Sequence, residues 1–209
     1  MKKSSFIFKY AGVACIPVYI AFTFAAHLDN RQLNPVENWL SDYGNPLLSP
    51  AGAVFYNIGC VLTALLLAVF YTGMVRWYRR GRDARKTNIS FATAQFSGLV
   101  GSVFLILTAV FPLGTNTPLH SAFSTVNMIA MDCFLSFTAI GFFMDPKMNK
   151  FIGIFGLITS VFNIVTMNAF DNFFISEWIY FLLFMAYMVL VTLQYDHVAG
   201  KKDAGDFRA

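Results

Sequence analysis

The side chains best suited to chemistry lie close to the start of an apolar segment in the second half of the chain. His120, Ser124 and Asn127 are separated by four and three residues, so they share one face of a helix. An imidazole can serve as a general base or as a metal ligand. We therefore predict His120 as a candidate catalytic residue, with Ser124 and Asn127 as candidate ligand-binding residues beside it.

A second polar stretch, residues 38–46, precedes another apolar segment. Within it, Ser41 and Asp42 can cap or turn the chain, and Gly44 permits a positive φ. Asn57 continues the polar track inside the apolar segment, where an amide needs a partner within the protein. The stretch is more polar than a simple return loop needs to be. We therefore predict Ser41 and Asp42 as further candidate catalytic residues and Asn57 as a ligand-binding residue.

These residues allow acid–base or nucleophilic chemistry without specifying either. His120 can act as a general base with Asp42 orienting its ring, and Ser41 or Ser124 can act as a nucleophile beside it. Neither serine lies in a sequence typical of a nucleophile turn. The sequence therefore leaves open whether the protein is an enzyme.

A zinc site is an alternative use of some of the same residues. His27, His120 and Asp42 carry side chains that zinc accepts. The two histidines are far apart in the chain, however, and the sequence contains no close His-x-x-x-His pair. We therefore assign no metal, and the sequence implies no particular cofactor.

Asp132 lies deep within a predicted membrane span. An ionised carboxylate that faces lipid at that depth costs about 2.5 kcal/mol or more, so the group should be paired, protonated or functional. Candidate partners at a similar depth are Thr63, Ser102 and Asn163. Two interpretations remain open: a ligand-binding or proton-linked group, and a neutral carboxyl that holds helices together by hydrogen bonds.

Short stretches of the chain resemble a known membrane family. Leu-Ser-Asp-Tyr-Gly at 40–44, Phe-Tyr-Asn-Ile-Gly at 55–59, and Phe-Pro at 111–112 followed by Leu-His at 119–120 are similar to the domain-of-unknown-function 998 family. A more remote similarity is to the six-span group of damage-regulated autophagy modulators and GPI-anchor lipid-remodelling factors (the DRAM/Frag/Sfk-like group). The resemblance implies a six-helix bundle with an outer polar site around the candidate residues of the two polar stretches. A role in lipid metabolism is implied only by analogy with the lipid-remodelling factors of that group.

Six long apolar segments must position these residues. Hydrophobic residues make up 57% of the chain and charged residues 12%, whereas about a quarter of the residues in a soluble domain are charged. A span needs roughly 20 apolar residues, and the segments approach that length at 8–26, 51–75, 91–111, 122–144, 151–169 and 178–195. We predict an all-α integral membrane protein, a six-transmembrane-helix bundle that forms a single membrane domain over 1–209. Residues 196–209 are predicted to form a flexible cytoplasmic tail.

The basic residues predict how the bundle is oriented. Fourteen of the fifteen Lys and Arg residues fall on one side of the six segments, and Arg31 alone falls on the other. Because cytoplasmic loops are enriched in Lys and Arg, both termini are predicted to face the cytoplasm, with the two polar stretches on the opposite side of the cell membrane. The net charge of +4 is then explained by contacts with anionic headgroups, and it does not indicate nucleic acid binding. Membrane lipids are the predicted partners.

Three classes of function fit this organisation. The first is a membrane protein whose extracytoplasmic polar cleft acts on or recognises a lipid or lipid-linked molecule, and this is our leading hypothesis. The second is a carrier or transporter of a small ligand. The third is a non-catalytic assembly partner, for which Ala94, Gly98 and Ser102 recur at the four-residue spacing that allows close helix contact. Packing inside the bundle explains that spacing equally well.

Overall fold

Six α-helices account for most of the residues that the computed structural model describes, which are 3–79, 84–145, 148–170 and 173–199. Within those ranges no β-strand is present, and all six helices are long and apolar enough to cross a membrane. The predicted all-α, six-helix membrane class is therefore confirmed. The helices are α1 (Lys3–Asp29), α2 (Pro50–Gly73), α3 (Arg85–Val110), α4 (Thr117–Met144), α5 (Lys150–Ala169) and α6 (Ile175–Ala199).

The helices form a closed ring in chain order. Each helix packs on its neighbours in sequence, and α6 returns to pack on α1. Six successive crossings bring the start of α1 and the end of α6 to the same end of the bundle. The opposite end, which we call the polar end, contains Asp29, Pro50, Thr117 and Ile175. It also holds a short 3₁₀ helix, Leu40–Gly44, in the connection between α1 and α2.

Several helices extend beyond the predicted apolar segments, because apolar composition marks the part of a helix that faces lipid or core rather than the ends of the helix. α4, for example, starts at Thr117, where the Asn116 side chain accepts a hydrogen bond from the backbone N–H of Leu119 at 3.3 Å. α6 includes residues 196–199 of the predicted tail, and the Asp196 carboxylate pairs with Lys9 at 2.6 Å. The rest of that tail, 200–209, lies outside the described residues.

Ion pairs and aromatic packing close the end opposite the polar end. Arg79, which follows α2, pairs with Asp145 at the end of α4. Trp77 is fully buried and packs edge-on against Phe91 and Tyr195, with ring centroids 5.3 and 5.6 Å apart. These contacts fix the helices against one another at this end of the bundle.

The small residues of α3 face the inside of the bundle. A Cβ atom at Gly98 would lie 2.6 Å from the Tyr71 ring, and one at Gly101 would lie 2.5 Å from the Met131 side chain. Close packing of α3 on α2 and α4 therefore accounts for the four-residue spacing. The spacing no longer argues for an external partner surface.

Candidate functional site

A cleft of ≈ 370 Å³ lies at the polar end between the 3₁₀ helix, α4, α5 and α6. We call it the polar cleft. Two of the predicted catalytic candidates, Ser41 and His120, line it together with Ser124. The remaining lining residues are Trp39, Leu113, Ser121, Thr125, Met128, Met167, Phe170 and Glu177.

Asp42 shapes the 3₁₀ helix that forms one wall of the cleft. Its Oδ2 atom accepts a hydrogen bond from the backbone N–H of Trp39 at 2.9 Å, which caps the start of the helix. Burial raises the pKa of the Asp42 carboxyl, and two effects partly oppose that shift: the hydrogen bond from the Trp39 N–H and the positive charge of His120 when its ring is protonated. The Asp42 side chain therefore positions the 3₁₀ helix through its hydrogen bond with the Trp39 backbone.

Gly44 and Asn57 join the 3₁₀ helix to α2. The Asn57 side-chain amide donates to the Gly44 carbonyl at 3.1 Å, which supplies the internal partner that its depth requires. Gly44 does not use the positive φ that a glycine permits, because among the described glycines only Gly114 has one. Gly44 is needed for space instead, since a Cβ there would lie 2.7 Å from the Asn57 Oδ1 atom.

Glu177 is the carboxylate of the cleft, and it is not among the site residues predicted from the sequence. Its side chain is 5% exposed and accepts hydrogen bonds from the backbone N–H and the hydroxyl of Ser41 at 3.3 and 3.5 Å. No Lys or Arg in the described part of the chain forms an ion pair with it. The only local signal is the position of Glu177 in the first turn of α6, where the helix dipole favours an acid, and that signal marks a helix start rather than a cleft residue. The predicted span began one residue later.

His120 is held by the turn between α3 and α4. The ring is 6% exposed, and its Nδ1 atom lies 3.2 Å from the carbonyl oxygen of Thr108 and 3.1 Å from that of Phe111. Carbonyls only accept hydrogen bonds, so Nδ1 carries the proton and Nε2 of the neutral ring carries the lone pair. These carbonyls make the orienting contact that was predicted for Asp42.

A smaller cavity of ≈ 30 Å³ adjoins the polar cleft and is lined by candidate residues from both polar stretches, although not by Asp42. Ser41, Asn57, His120, Ser124 and Asn127 all line it, together with Glu177 and several apolar residues. The shared helix face that the spacing predicted in α4 is therefore real. The Oδ1 atom of Asn127 is buried without a hydrogen-bond partner among the described residues.

Asp132 lies deeper in α4 and is bonded to two other helices. Its Oδ2 atom accepts from the Asn163 amide at 2.8 Å, and its Oδ1 atom accepts from the Tyr180 hydroxyl at 3.3 Å. Asn163 was among the predicted partners, whereas Tyr180 was not. Of the other predicted partners, Ser102 donates instead to the carbonyl of Gly98 at 3.0 Å. The carboxyl therefore holds α4, α5 and α6 together.

The three residues of the zinc alternative do not converge. His27 bonds through Nδ1 to the Tyr43 hydroxyl at 2.8 Å and lines a different cavity from His120. Across the described ranges, no group of three His, Cys, Asp or Glu side chains is placed to hold a metal ion. Ser41 does not form a nucleophilic pair with His120, because its hydroxyl is directed to Glu177.

Taken together, the cleft presents a carboxylate and an imidazole with a free lone pair on Nε2. Both groups accept hydrogen bonds, and either can accept a proton. The arrangement is therefore suited to a ligand that supplies O–H or N–H groups.

Comparison with known proteins identifies the family of the chain. The family model described as "Protein of unknown function (DUF998)" matches residues 13–194. No curated protein and no solved structure matches the chain significantly. The more remote similarity to autophagy modulators and lipid-remodelling factors is not shown. With its six apolar helices, the chain therefore belongs to the DUF998 family of proteins of unknown function.

Proposed function

We propose that the protein recognises or acts on a lipid or lipid-linked molecule through the polar cleft. The observation that carries the proposal is the presence of two buried acceptor groups, Glu177 and His120, in one cleft at the end of six apolar helices. No cation of the described chain neutralises the Glu177 carboxylate. Lipid headgroups with hydroxyl or ammonium groups supply donors that match these two acceptors.

The walls of the cleft support a ligand that stays attached to a lipid. Met128, Met167 and Phe170 line the cleft beside its polar groups, and Phe170 is exposed on the bundle surface where α5 ends. A headgroup can therefore enter from the side while its chains remain among lipids. Whether the bound molecule is chemically changed is the question that the experiment must answer.

The side of the membrane follows from the distribution of basic residues. With both termini in the cytoplasm, as the positive-inside pattern predicts, the polar cleft opens on the extracytoplasmic side of the cell membrane. A reporter that is active only in the cytoplasm, fused after Ala209, tests this orientation. Activity of the fusion supports it, and an inactive but expressed fusion contradicts it.

The function is tested by comparing the lipids of cells that lack the gene after complementation. The complementing chains are the native protein, His120→Ala and Glu177→Gln. Loss of one lipid and gain of another, both reversed by the native chain alone, would identify an enzyme and its substrate class. A change in the amount of one lipid without a paired product would indicate recognition without turnover.

The matched control is Glu37→Gln, which neutralises an exposed carboxylate at the same end of the bundle. This variant should complement as well as the native chain. An unchanged lipidome in cells without the gene would overturn the proposal. Equal rescue by the native chain and both cleft variants would show that this function does not require His120 or Glu177.

A small-ligand carrier is the second candidate, and a specific observation favours it. The cavity beside the polar cleft shares Asn127 with a third cavity of ≈ 30 Å³, which reaches Thr63 and Tyr180. A volume of that size is sufficient for a water molecule. Since Tyr180 bonds to Asp132, the two water-sized cavities lie between the cleft and a carboxyl in the bundle interior and mark a route from one to the other. The assembly alternative has no comparable support, because the small residues of α3 are buried.

A further inference from the structure

An apolar depression of the described chain lies away from the polar cleft, between α1 and α6. It has a volume of ≈ 470 Å³, within the range of about 300–1,000 Å³ that is typical of ligand sites. Its walls are almost entirely apolar and include Tyr19, Ile20, Phe24, Phe181 and Leu182. We call it the α1–α6 groove. It shares no lining residue with the polar cleft.

The length and position of the groove match one leaflet of a bilayer. Along α1 it extends from Tyr19 to His27, eight residues that span roughly 12 Å at 1.5 Å per residue. Half of a hydrocarbon core is about 15 Å thick. The groove therefore runs from the membrane surface at the polar end towards the bilayer midplane.

The groove is open to the side rather than covered by another helix. Ile20, Phe24 and Leu182 line it and are at the same time exposed on the outer surface of the bundle. Its floor is rigid, since Phe181 stacks on Tyr19 with centroids 5.5 Å apart and an interplanar angle of 4°. An occupant can therefore enter from the surrounding hydrocarbon without unfolding any part of the protein.

A single cation stands at the mouth of the groove. Arg31 lines it just beyond the end of α1, and it is the one Lys or Arg residue on its side of the six apolar segments. The residue is exposed, and no carboxylate among the described residues forms an ion pair with it. A guanidinium group binds phosphate oxygens through paired hydrogen bonds. Asn34 and His27 lie beside it in the lining.

We propose that the α1–α6 groove binds a phospholipid of net negative charge, with one acyl chain along Tyr19, Phe24 and Leu182 and the phosphate on Arg31. Charge complementarity selects the headgroup, and the open apolar walls select the chain. The phosphate lies where α1 ends, at the level expected for lipid headgroups. The site is separate from the polar cleft, and the proposal does not depend on the function assigned to that cleft.

Trp178 provides a direct probe once Trp39, the tryptophan of the polar cleft, is replaced by Phe, because Trp178 lines the groove and Trp77 is fully buried in the bundle interior. All chains compared in this experiment therefore carry Trp39→Phe. The full chain is purified in detergent, and its tryptophan fluorescence is titrated with phosphatidylglycerol carrying brominated acyl chains. Brominated phosphatidylcholine serves as the zwitterionic comparison. The native chain should show saturable quenching by phosphatidylglycerol at several-fold lower lipid content than by phosphatidylcholine. Trp178→Phe should lose the saturable part.

Two pairs of variants separate the site from general contact with lipid. Arg31→Gln should abolish the preference for phosphatidylglycerol, whereas Glu37→Gln, which removes an exposed charge from the same connection, should keep it. Leu182→Phe should narrow the groove and weaken the saturable quenching. Leu193→Phe makes the same change at an equally exposed position of α6 outside the groove, since the two leucines are 64% and 68% exposed, and should have no effect.

Several outcomes would overturn the proposal. Equal quenching of the native chain by the two lipids, unchanged in Arg31→Gln, would mean that only the general lipid shell contacts Trp178. If excess inorganic phosphate abolished the preference for phosphatidylglycerol, Arg31 would bind a free anion rather than a lipid headgroup. If Leu182→Phe and Leu193→Phe showed the same saturable quenching while both kept their helical circular dichroism, the acyl chain would not bind in the groove.

Discussion

The Glu177 carboxylate accepts two hydrogen bonds from Ser41, one from the backbone N–H at 3.3 Å and one from the hydroxyl at 3.5 Å. These bonds fasten the 3₁₀ helix to the first turn of α6, on the wall of the polar cleft. Both bonds are accepted by the same carboxylate oxygen, Oε2, and no cation takes part in them. Glu177 is thus both a structural anchor and the main acidic group available to a ligand.

The anchoring role predicts a cost in stability when the carboxylate is removed. Glu177→Ala leaves the half-buried Ser41 donors without their charged acceptor, which should lower the free energy of unfolding by about 1–3 kcal/mol. Thermal unfolding in detergent measures the change. Glu37→Ala, at an exposed position, should stay within about 0.5 kcal/mol of the native chain. Equal stability of the two variants would show that the bonds to Ser41 contribute little.

Asp42 predicts a dependence of stability on pH. Burial raises the pKa of its carboxyl in the folded chain, so the folded state holds this proton to a higher pH than the unfolded state does. Stability must then fall as the pH rises through that interval, which begins near the usual Asp value of about 4. Asp42→Asn removes this contribution while keeping an acceptor for the Trp39 N–H.

The measurement is the difference in melting temperature between the native chain and Asp42→Asn from acidic to neutral pH. The native chain should lose stability relative to the variant as the pH rises. His120 is the neighbouring group that contributes a charge, so the comparison is repeated in a His120→Gln background. A difference that is constant with pH, or that changes in the opposite direction, would contradict a raised pKa for Asp42.

The spans and the α4 face were predictable because each depends on a short stretch of chain. Apolar runs report directly on solvation by lipid, and the spacing of His120, Ser124 and Asn127 fixes their common face within a single helix. Depth in the membrane can also be estimated from the position of a residue within its span, and Asn163 was predicted as a partner for Asp132 on that basis. The link between the two polar stretches, by contrast, came from a family resemblance rather than from spacing.

Contacts between distant segments were the part that the sequence did not supply. Glu177 lies 136 residues from Ser41, and nothing local distinguishes it from an exposed acid at a helix start. Tyr180 stands in an aromatic-rich segment that is typical of a lipid-facing surface, yet its hydroxyl is bonded to Asp132. The α1–α6 groove likewise exists only because α6 returns to pack on α1.

The assigned tautomer of His120 predicts different effects for two substitutions. Asparagine can place an amide N–H near the position of Nδ1 and keep a donor for the carbonyls of Thr108 and Phe111, whereas alanine cannot. His120→Ala should therefore lose about 1 kcal/mol of stability, and His120→Asn should lose less. Both variants lack Nε2 and should fail equally in the lipid complementation assay. Rescue of that assay by His120→Asn would show that Nε2 has no role.

Substitutions of Asp132 should affect the stability of the protein and its ability to pass protons in different ways. Asp132→Asn keeps polar atoms for Asn163 and Tyr180 and should remain folded, while Asp132→Ala should lose about 1–3 kcal/mol because two buried groups lose their partner. If the route from the cleft serves a carrier, vesicles containing the native chain should show proton entry, measured with a trapped pH-sensitive dye, and Asp132→Asn vesicles should not. Equal proton entry in the two would leave the carboxyl a purely structural role.

The internal packing of α3 predicts unequal costs for two chemically identical substitutions. A methyl group at Gly98 would meet the ring of Tyr71 at 2.6 Å, and that ring is fully buried between helices. At Gly101 it would meet the terminal methyl of Met131 at 2.5 Å, and a methionine side chain can rotate away. Gly98→Ala should therefore destabilise the bundle by about 1–3 kcal/mol, and Gly101→Ala should cost less. Thermal unfolding of the two variants in the same detergent tests this order. The reverse order would mean that Tyr71 can move more freely than its burial implies.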